Sequence, residues 1–224
     1  MRVNVKISCN TNPVPFNHLR KLTGALHKWL GPENKQHNGP SLYSVGWLKG
    51  GHAKDGALTF PGGAQWELSF YRKSVAERVF EGARAKPEVA YGMRVIQVER
   101  EPTPEFGGMY RFTVGSPVLT RQRREDGGRD HLVHSDPDAD STLTRTLRYK
   151  MEAAGFEDSD REVMVGFDRS YDNPRTKLVT YKDINFRGSI CPVIVAGSPA
   201  AVQFAYDVGV GELTGCGFGF LEKS

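Results

Sequence analysis

A chain of 224 residues has room for one large domain or two of roughly 100 residues each, and its 38% hydrophobic and 10% aromatic residues argue against disorder. The net charge of +4, with a pI near 8.9, leans toward a polyanionic partner without demanding one. Cys9, Cys191 and Cys216 lie far apart, which excludes a disulfide framework and a CxxC zinc site, and no stretch approaches the ~20 apolar residues of a membrane span.

In chain order, residues 2–8 alternate strictly, with Val3, Val5 and Ile7 on one face and Arg2, Asn4 and Lys6 on the other, as a half-buried strand does. This start lacks the apolar run of a signal peptide, so a soluble cytoplasmic protein is expected. A helix follows over 17–30, with Leu19, Leu22, Leu26, Trp29 and Leu30 as its stripe and Gly31 as its stop. Short strands around 42–48, 57–60 and 66–71, a helix from about Ser74 and a strand over 94–100 complete the first half. The second half repeats the order. Tyr110, Phe112 and Val114 alternate in a strand, and a helix over 141–154 carries Leu143, Leu147 and Met151. Strands are expected at 163–168 and across 177–195, the latter broken at Gly188 and Pro192. Ser198-Pro199 opens a helix with Pro at its first position, Gly209 ends it, and a last strand runs to about Leu221.

Each half therefore reads β-α-β-β-α-β. The expected class is α+β, with tandem ferredoxin-like (RRM-like) domains over 1–102 and 109–224 joined at the Pro/Gly-rich stretch 101–108. Such a sheet can leave one face open, and RNA-recognition modules use that face, although the fold alone does not assign a function.

The tail holds the densest motif. Gly209, Gly211, Gly215, Gly217 and Gly219 alternate with small or apolar residues just after a helix. Consecutive glycines admit positive φ and a close approach, and a run of exposed N–H groups can cradle a phosphate. A Gly-rich turn leading into a packed strand is the other reading. A Walker loop is excluded because no Gly-Lys-Ser/Thr is present. A Rossmann fingerprint is excluded because a helix precedes the segment and only five residues follow it.

Gly209-Val-Gly211 and Gly217-Phe-Gly219, separated by a short spacer at the end of a double ferredoxin-like chain, resemble the repeat-RNA endoribonucleases of CRISPR systems, of the RAMP superfamily. The resemblance covers nearly the whole chain and implies a protein that binds precursor CRISPR RNA and cuts within each repeat. It implies no cofactor. As partners it admits the repeat RNA, subunits of a CRISPR effector complex and a second copy of the chain. The chemistry it implies is metal-independent attack by the substrate 2′-OH, leaving a 2′,3′-cyclic phosphate and a 5′-OH, with histidine suited to the proton transfers. Two alternatives stay open: a non-catalytic repeat-RNA-binding subunit, and a ferredoxin-like enzyme unrelated to RNA.

In the resembled family the catalytic histidine follows the first helix and precedes a short apolar-aromatic strand. His37, in Lys35-Gln-His37-Asn-Gly-Pro-Ser-Leu-Tyr43, has that place. His27 lies off the leucine stripe of the first helix, beside Gly24 and Arg20, and so faces solvent or a ligand. The resembled family often carries a tyrosine or histidine at about this place, so the resemblance implies His27 as the partner acid or base; an exposed helix histidine is the other reading. The family's lysine just after the histidine loop is here Ser41, leaving Lys35, Lys49 or Arg20 for the charge-stabilising role. Tyr43 is expected to pack. His131 and His134 form HxxH near Asp136, Asp138 and Asp140, but a calcium loop would need Gly and Glu where Ser141 and Leu147 stand, so no metal site is expected. For RNA contact the candidates are Arg20, Arg121, Arg123, Arg124 and Arg145, with the five tail glycines; Arg148, Lys182 and Arg187 are weaker.

Overall fold

The computed structural model describes residues 1–31 and 39–224. Alternation makes β1 (Arg2–Ile7) a central strand with Val3, Val5 and Ile7 buried. The 3.6-residue stripe makes α1 (Leu19–Leu30), which buries Leu19, Leu22, Leu26, Trp29 and Leu30 against the sheet. After them come β2 (Tyr43–Val45), the small hairpin β3 (His52–Lys54) and β4 (Ala57–Thr59), β5 (Ala64–Phe70), α2 (Lys73–Ala85) and β6 (Val95–Glu101). The first sheet has the order β2-β5-β1-β6 and is antiparallel throughout. Its register sets Val5 between Trp66 and Val98, so one face is apolar and meets the helices.

The second half has β7 (Met109–Val114), the hairpin β8 (Thr120–Arg123) and β9 (Arg129–Leu132), α3 (Ala139–Ala154), and β10 (Val163–Phe167). It continues with the hairpin β11 (Arg175–Tyr181) and β12 (Ile184–Ile190), β13 (Val193–Gly197), α4 (Pro199–Val208) and β14 (Leu221–Lys223). Its sheet order is β10-β13-β7-β14. Setting the three hairpins aside, each half is βαββαβ with its four strands ordered 2-3-1-4, so the fold is a tandem of ferredoxin-like units. Ser198 caps α4 by accepting the Ala201 N–H at 3.1 Å.

Three local expectations are corrected. The run 177–195 breaks at Pro192 as expected but not at Gly188, which lies inside β12: it is the β11–β12 hairpin, turned at Lys182 and Asp183 with φ of 49° and 64°, followed by β13. The arginine-rich stretch after β7 is itself a hairpin, β8–β9, closed by the Arg124 N–H on the Gly128 carbonyl at 2.9 Å. The last strand is only Leu221–Lys223, and most of the tail before it is irregular, with one short 3-10 turn at Thr214–Cys216.

That irregular tail joins the two halves. Trp47 Nε1 donates to the Gly217 carbonyl at 2.7 Å, and Thr214 Oγ1 donates to the Tyr43 carbonyl at 3.0 Å. Phe218 is fully buried in the core of the first half, together with Val179, Tyr181 and Phe186 of the β11–β12 hairpin. Burial of a side chain of this size contributes about 1.5–3 kcal/mol. Arg2 lies between the rings of Tyr206 and Phe220, at 3.8 and 4.4 Å from their centroids, and pairs with Glu67 at 3.2 Å. The tail closes on itself through the Val210 N–H to the Gly219 carbonyl at 3.0 Å. Beneath it Lys150 of α3 is buried, its Nζ facing the Val208 carbonyl at 3.4 Å, the Gly209 carbonyl at 3.2 Å and Thr214 Oγ1 at 3.2 Å. Among the described residues no helix is long and apolar enough to cross a membrane.

Three substitutions test these local environments. Gly219 has φ of +61°, and a Cβ there would lie 1.9 Å from the Val210 carbonyl oxygen. Gly219→Ala should therefore lower stability by about 2–4 kcal/mol in urea denaturation. Gly24, in α1 with nothing within 4 Å of its Cβ position, should raise stability by about 0.5–1 kcal/mol when changed to Ala. A Gly219→Ala protein as stable as wild type would contradict the seating. For Lys150, burial pushes the ammonium down to about 7, against the opposing pull of Glu212. The unfolded chain then holds the extra proton from about pH 7 up to the ordinary lysine value of about 10.4, and stability rises with pH across that window. Relative to Lys150→Met, wild type should gain stability in that range. A flat difference would mean that Lys150 keeps an ordinary pKa.

Candidate functional site

A cleft of about 600 Å³ opens between the β8–β9 hairpin, α3 and the tail, with Gly39, Pro40 and Ser41 on its rim. Strand geometry sets one wall. Arg121 and Arg123 are two residues apart on β8 and share a face, and the hairpin register brings Arg129 opposite Arg123 and His131 opposite Arg121. Helix geometry sets another wall. Leu143, Leu147 and Met151 point into the core, which turns Arg145 and Tyr149, four residues apart, toward the opening. The tail forms the third wall through Gly211, Glu212, Leu213 and Thr214.

The cleft is strongly basic. Arg121, Arg123, Arg129 and Arg145 line it, with the buried Lys150 behind them, and Glu212 is the one acid among the described lining residues. Glu212 pairs with Arg121 at 2.5 Å and with Arg129 at 3.3 Å. Arg121 also lies over the Phe186 ring, 5.3 Å from its centroid. His131 meets the same ring edge-on at 6.0 Å, and burial, with Arg121 and Arg187 nearby, holds its imidazole below the ordinary range. Such a wall offers planar guanidinium donors to a chain of phosphates.

Of the residues expected from sequence, Arg121, Arg123, Arg145 and Gly211 come together here. Arg124 points elsewhere, pairing with Asp126 at 3.2 Å and Asp130 at 3.5 Å at the hairpin tip. Gly209, Gly215, Gly217 and Gly219 are buried, and what crowds them is the chain itself. A Cβ on Gly209 would meet the Gly219 carbonyl at 2.5 Å, and one on Gly215 would meet Tyr43 and Ser41 at 2.8 Å. Arg20 lines a separate groove on α1 with Lys21, Gly24 and Lys28. His27 is half-buried in the last turn of that helix. His37 and Lys35 lie outside the described residues; the rim residues Gly39 to Ser41 follow them directly in the chain.

Other candidates have structural partners. Lys49 pairs with Glu67 at 2.5 Å and Glu222 at 2.7 Å; burial opposes its charge, but those bonds hold its ammonium above the ordinary range. Tyr43 is buried, stacked on Phe70 with 5.8 Å between centroids, and burial pushes its hydroxyl up to about 12. Asp136 accepts the Val133 N–H at 2.6 Å, and Asp140 accepts the Phe167 N–H at 3.0 Å and pairs with Arg169. His134 faces Phe167, at 6.4 Å, while His131 faces Phe186, so HxxH does not converge. The exposed face of the first sheet carries Asn4, Lys6, Gln65, Glu67, Gln97 and Glu99, a mixed surface leaning acidic and poorly suited to phosphate. Sequence reasoning missed Arg129, Tyr149, Lys150 and Glu212. Only Tyr149 left a local signal there, its i+4 spacing from Arg145.

Comparison with known proteins places this geometry in a family. The model for the C-terminal part of the CRISPR associated protein Cas6 matches residues 99–223, more than half of the chain. A CRISPR-associated endoribonuclease-like protein Cas6 from Pyrococcus furiosus is 27% identical over 165 residues. That match covers 69% of this chain and 66% of the relative, just under two thirds of the relative's length. A structure of a Cas6-related gene product from Pyrococcus furiosus superposes with a TM-score of 0.84 at 19% identity, covering 99% of this chain and 97% of that one. A RAMP protein described as binding different RNA substrates gives a TM-score of 0.84 at 21% identity, covering 99% and 98%. The structural likenesses carry the fold, the sequence match over 99–223 carries the kinship, and the chain belongs to the CRISPR-associated Cas6 family.

Proposed function

We propose that this protein is an endoribonuclease that binds precursor CRISPR RNA and cuts it within each repeat, without a metal ion. The observation that carries the reading is the cleft in which Arg121, Arg123, Arg129 and Arg145 face Gly39 to Ser41, the residues that directly follow the His37 segment. Phosphates of the strand take the guanidinium groups, and Tyr149, 57% exposed beside Arg145, offers a ring on which a base can stack. His37 takes the proton of the 2′-OH or supplies the one that leaves with the 5′-oxygen, and His27 serves as its partner. Each positioned proton transfer contributes roughly 10²–10⁴-fold in rate. The products are a 2′,3′-cyclic phosphate and a 5′-OH.

A second reading, a repeat-RNA-binding subunit that does not cut, draws support from one observation. Ser41 stands where the resembled enzymes carry a lysine, and Lys49 is committed to Glu67 and Glu222.

One experiment separates the two. End-labelled repeat RNA is incubated in EDTA with wild type, His37→Ala, His27→Ala and Arg145→Ala. The nuclease reading predicts one cut with a cyclic phosphate end, lost by at least about 100-fold in His37→Ala while binding is kept. Arg145→Ala should weaken binding across sequences and flatten the salt dependence by about one unit of log–log slope. Tight binding with no cut by wild type selects the subunit reading, and neither binding nor cutting overturns both.

A further inference from the structure

The cleft is basic except at one point, and that point is held in place with unusual care. Glu212 sits between Gly211, with φ of +75°, and Leu213, a non-glycine residue with φ of +55°. Its N–H donates to the Leu119 carbonyl at 2.8 Å, and Gly211 is pressed so close to that carbonyl that a Cβ would lie 2.4 Å from its oxygen. A left-handed leucine persists only where the surroundings over-determine it. The backbone therefore fixes the direction in which the Glu212 side chain leaves the chain. Its carboxylate points at two guanidinium groups, Arg121 at 2.5 Å and Arg129 at 3.3 Å. Arg121 is 14% exposed and Glu212 25%, so this pair is screened less than a surface ion pair.

One oxygen bridging two guanidinium forks is also what a phosphate does when two arginines clamp it. Arg121 and Arg129 both line the cleft, Arg121 the more deeply buried of the two, and both are already paired. A strand that enters must either displace the carboxylate or lie beside it at the cost of like-charge repulsion.

We propose that Glu212 is a built-in competitor for RNA phosphate, occupying Arg121 and Arg129 in the free protein and released from them when the strand binds. This rests on the reading that the cleft holds the RNA. Its consequence is that the protein binds RNA more weakly than its arginines allow, so that a strand must make enough other contacts to offset the displaced pair. The opposite role would be a buttress, in which Glu212 holds the two arginines in the pose that phosphate needs.

The two roles predict opposite signs. Equilibrium binding of a labelled repeat oligoribonucleotide is measured with the full chain as wild type, Glu212→Gln, Arg121→Ala, the double variant, and Glu125→Gln. Glu125→Gln removes one negative charge at the hairpin turn, and thermal melting verifies that each variant folds. A competitor predicts that Glu212→Gln tightens binding about three- to tenfold, beyond what Glu125→Gln does, and steepens the salt slope by about one. It also predicts that most of the gain disappears when Arg121 is absent. Unchanged or weaker binding by Glu212→Gln overturns the proposal in favour of a buttress. A gain that Glu125→Gln matches, or that survives Arg121→Ala, overturns it in favour of net charge alone. Wild type that fails to bind the repeat RNA overturns the RNA reading of the cleft, and the competitor with it.

Discussion

Gly219 and Val210 are nine residues apart, yet the Val210 N–H bonds the Gly219 carbonyl, and the Gly219 N–H bonds the Pro117 carbonyl at 2.9 Å. With these backbone bonds, all within the second half, the tail folds into a plug that packs against both halves. One side of the plug takes Trp47, Tyr43 and the core position of Phe218; the other takes the buried Lys150 and the Leu119 carbonyl. Side chains of ordinary size cannot enter at Gly209, Gly211 or Gly219, where a Cβ would run into backbone oxygen. The cleft walls depend on this seating, because Glu212 and Leu213 on one wall and α3 on another are positioned through it.

Charge then divides the surface. The exposed face of the first sheet, where an RNA-recognition module would lay its strand, carries Glu67 and Glu99 among amides and Lys6, and its basic neighbours Arg2 and Lys49 are paired with Glu67. The arginines gather instead on the β8–β9 hairpin and on α3. A phosphate chain is attracted to the second region and gains little from the first. In this protein the ferredoxin-like fold acts as a scaffold, and the candidate cleft is built from elements of the second half with Gly39 to Ser41 of the first half on its rim.

Much of the fold was legible because its signals are local. Strict alternation marks β1, the leucine stripe and Gly31 mark α1, and Ser198-Pro199 marks α4. The turn of the β11–β12 hairpin was not legible, since it puts Lys182 and Asp183 in left-handed conformations without a glycine to announce it. The site divides in the same way. Arg121, Arg123 and Arg145 show up as basic clusters within one element. Arg129 reaches the cleft only through a cross-strand register, and Lys150 is buried only because residues 58 to 64 positions later arrive over it. The tail glycines did announce close approach; that the approaching atoms include this chain's own carbonyls is a tertiary fact, and glycine spacing does not encode it.

The central claim, that RNA runs through the cleft and not over the sheet, is tested most directly by photo-crosslinking. Repeat RNA carrying 4-thiouridine is irradiated in complex with the full chain, and the crosslinked peptides are mapped by mass spectrometry. The account predicts crosslinks within residues 121–129 and at Tyr149 of α3. Crosslinks concentrated on β1, β5 and β6, around Gln65 and Gln97, would contradict it.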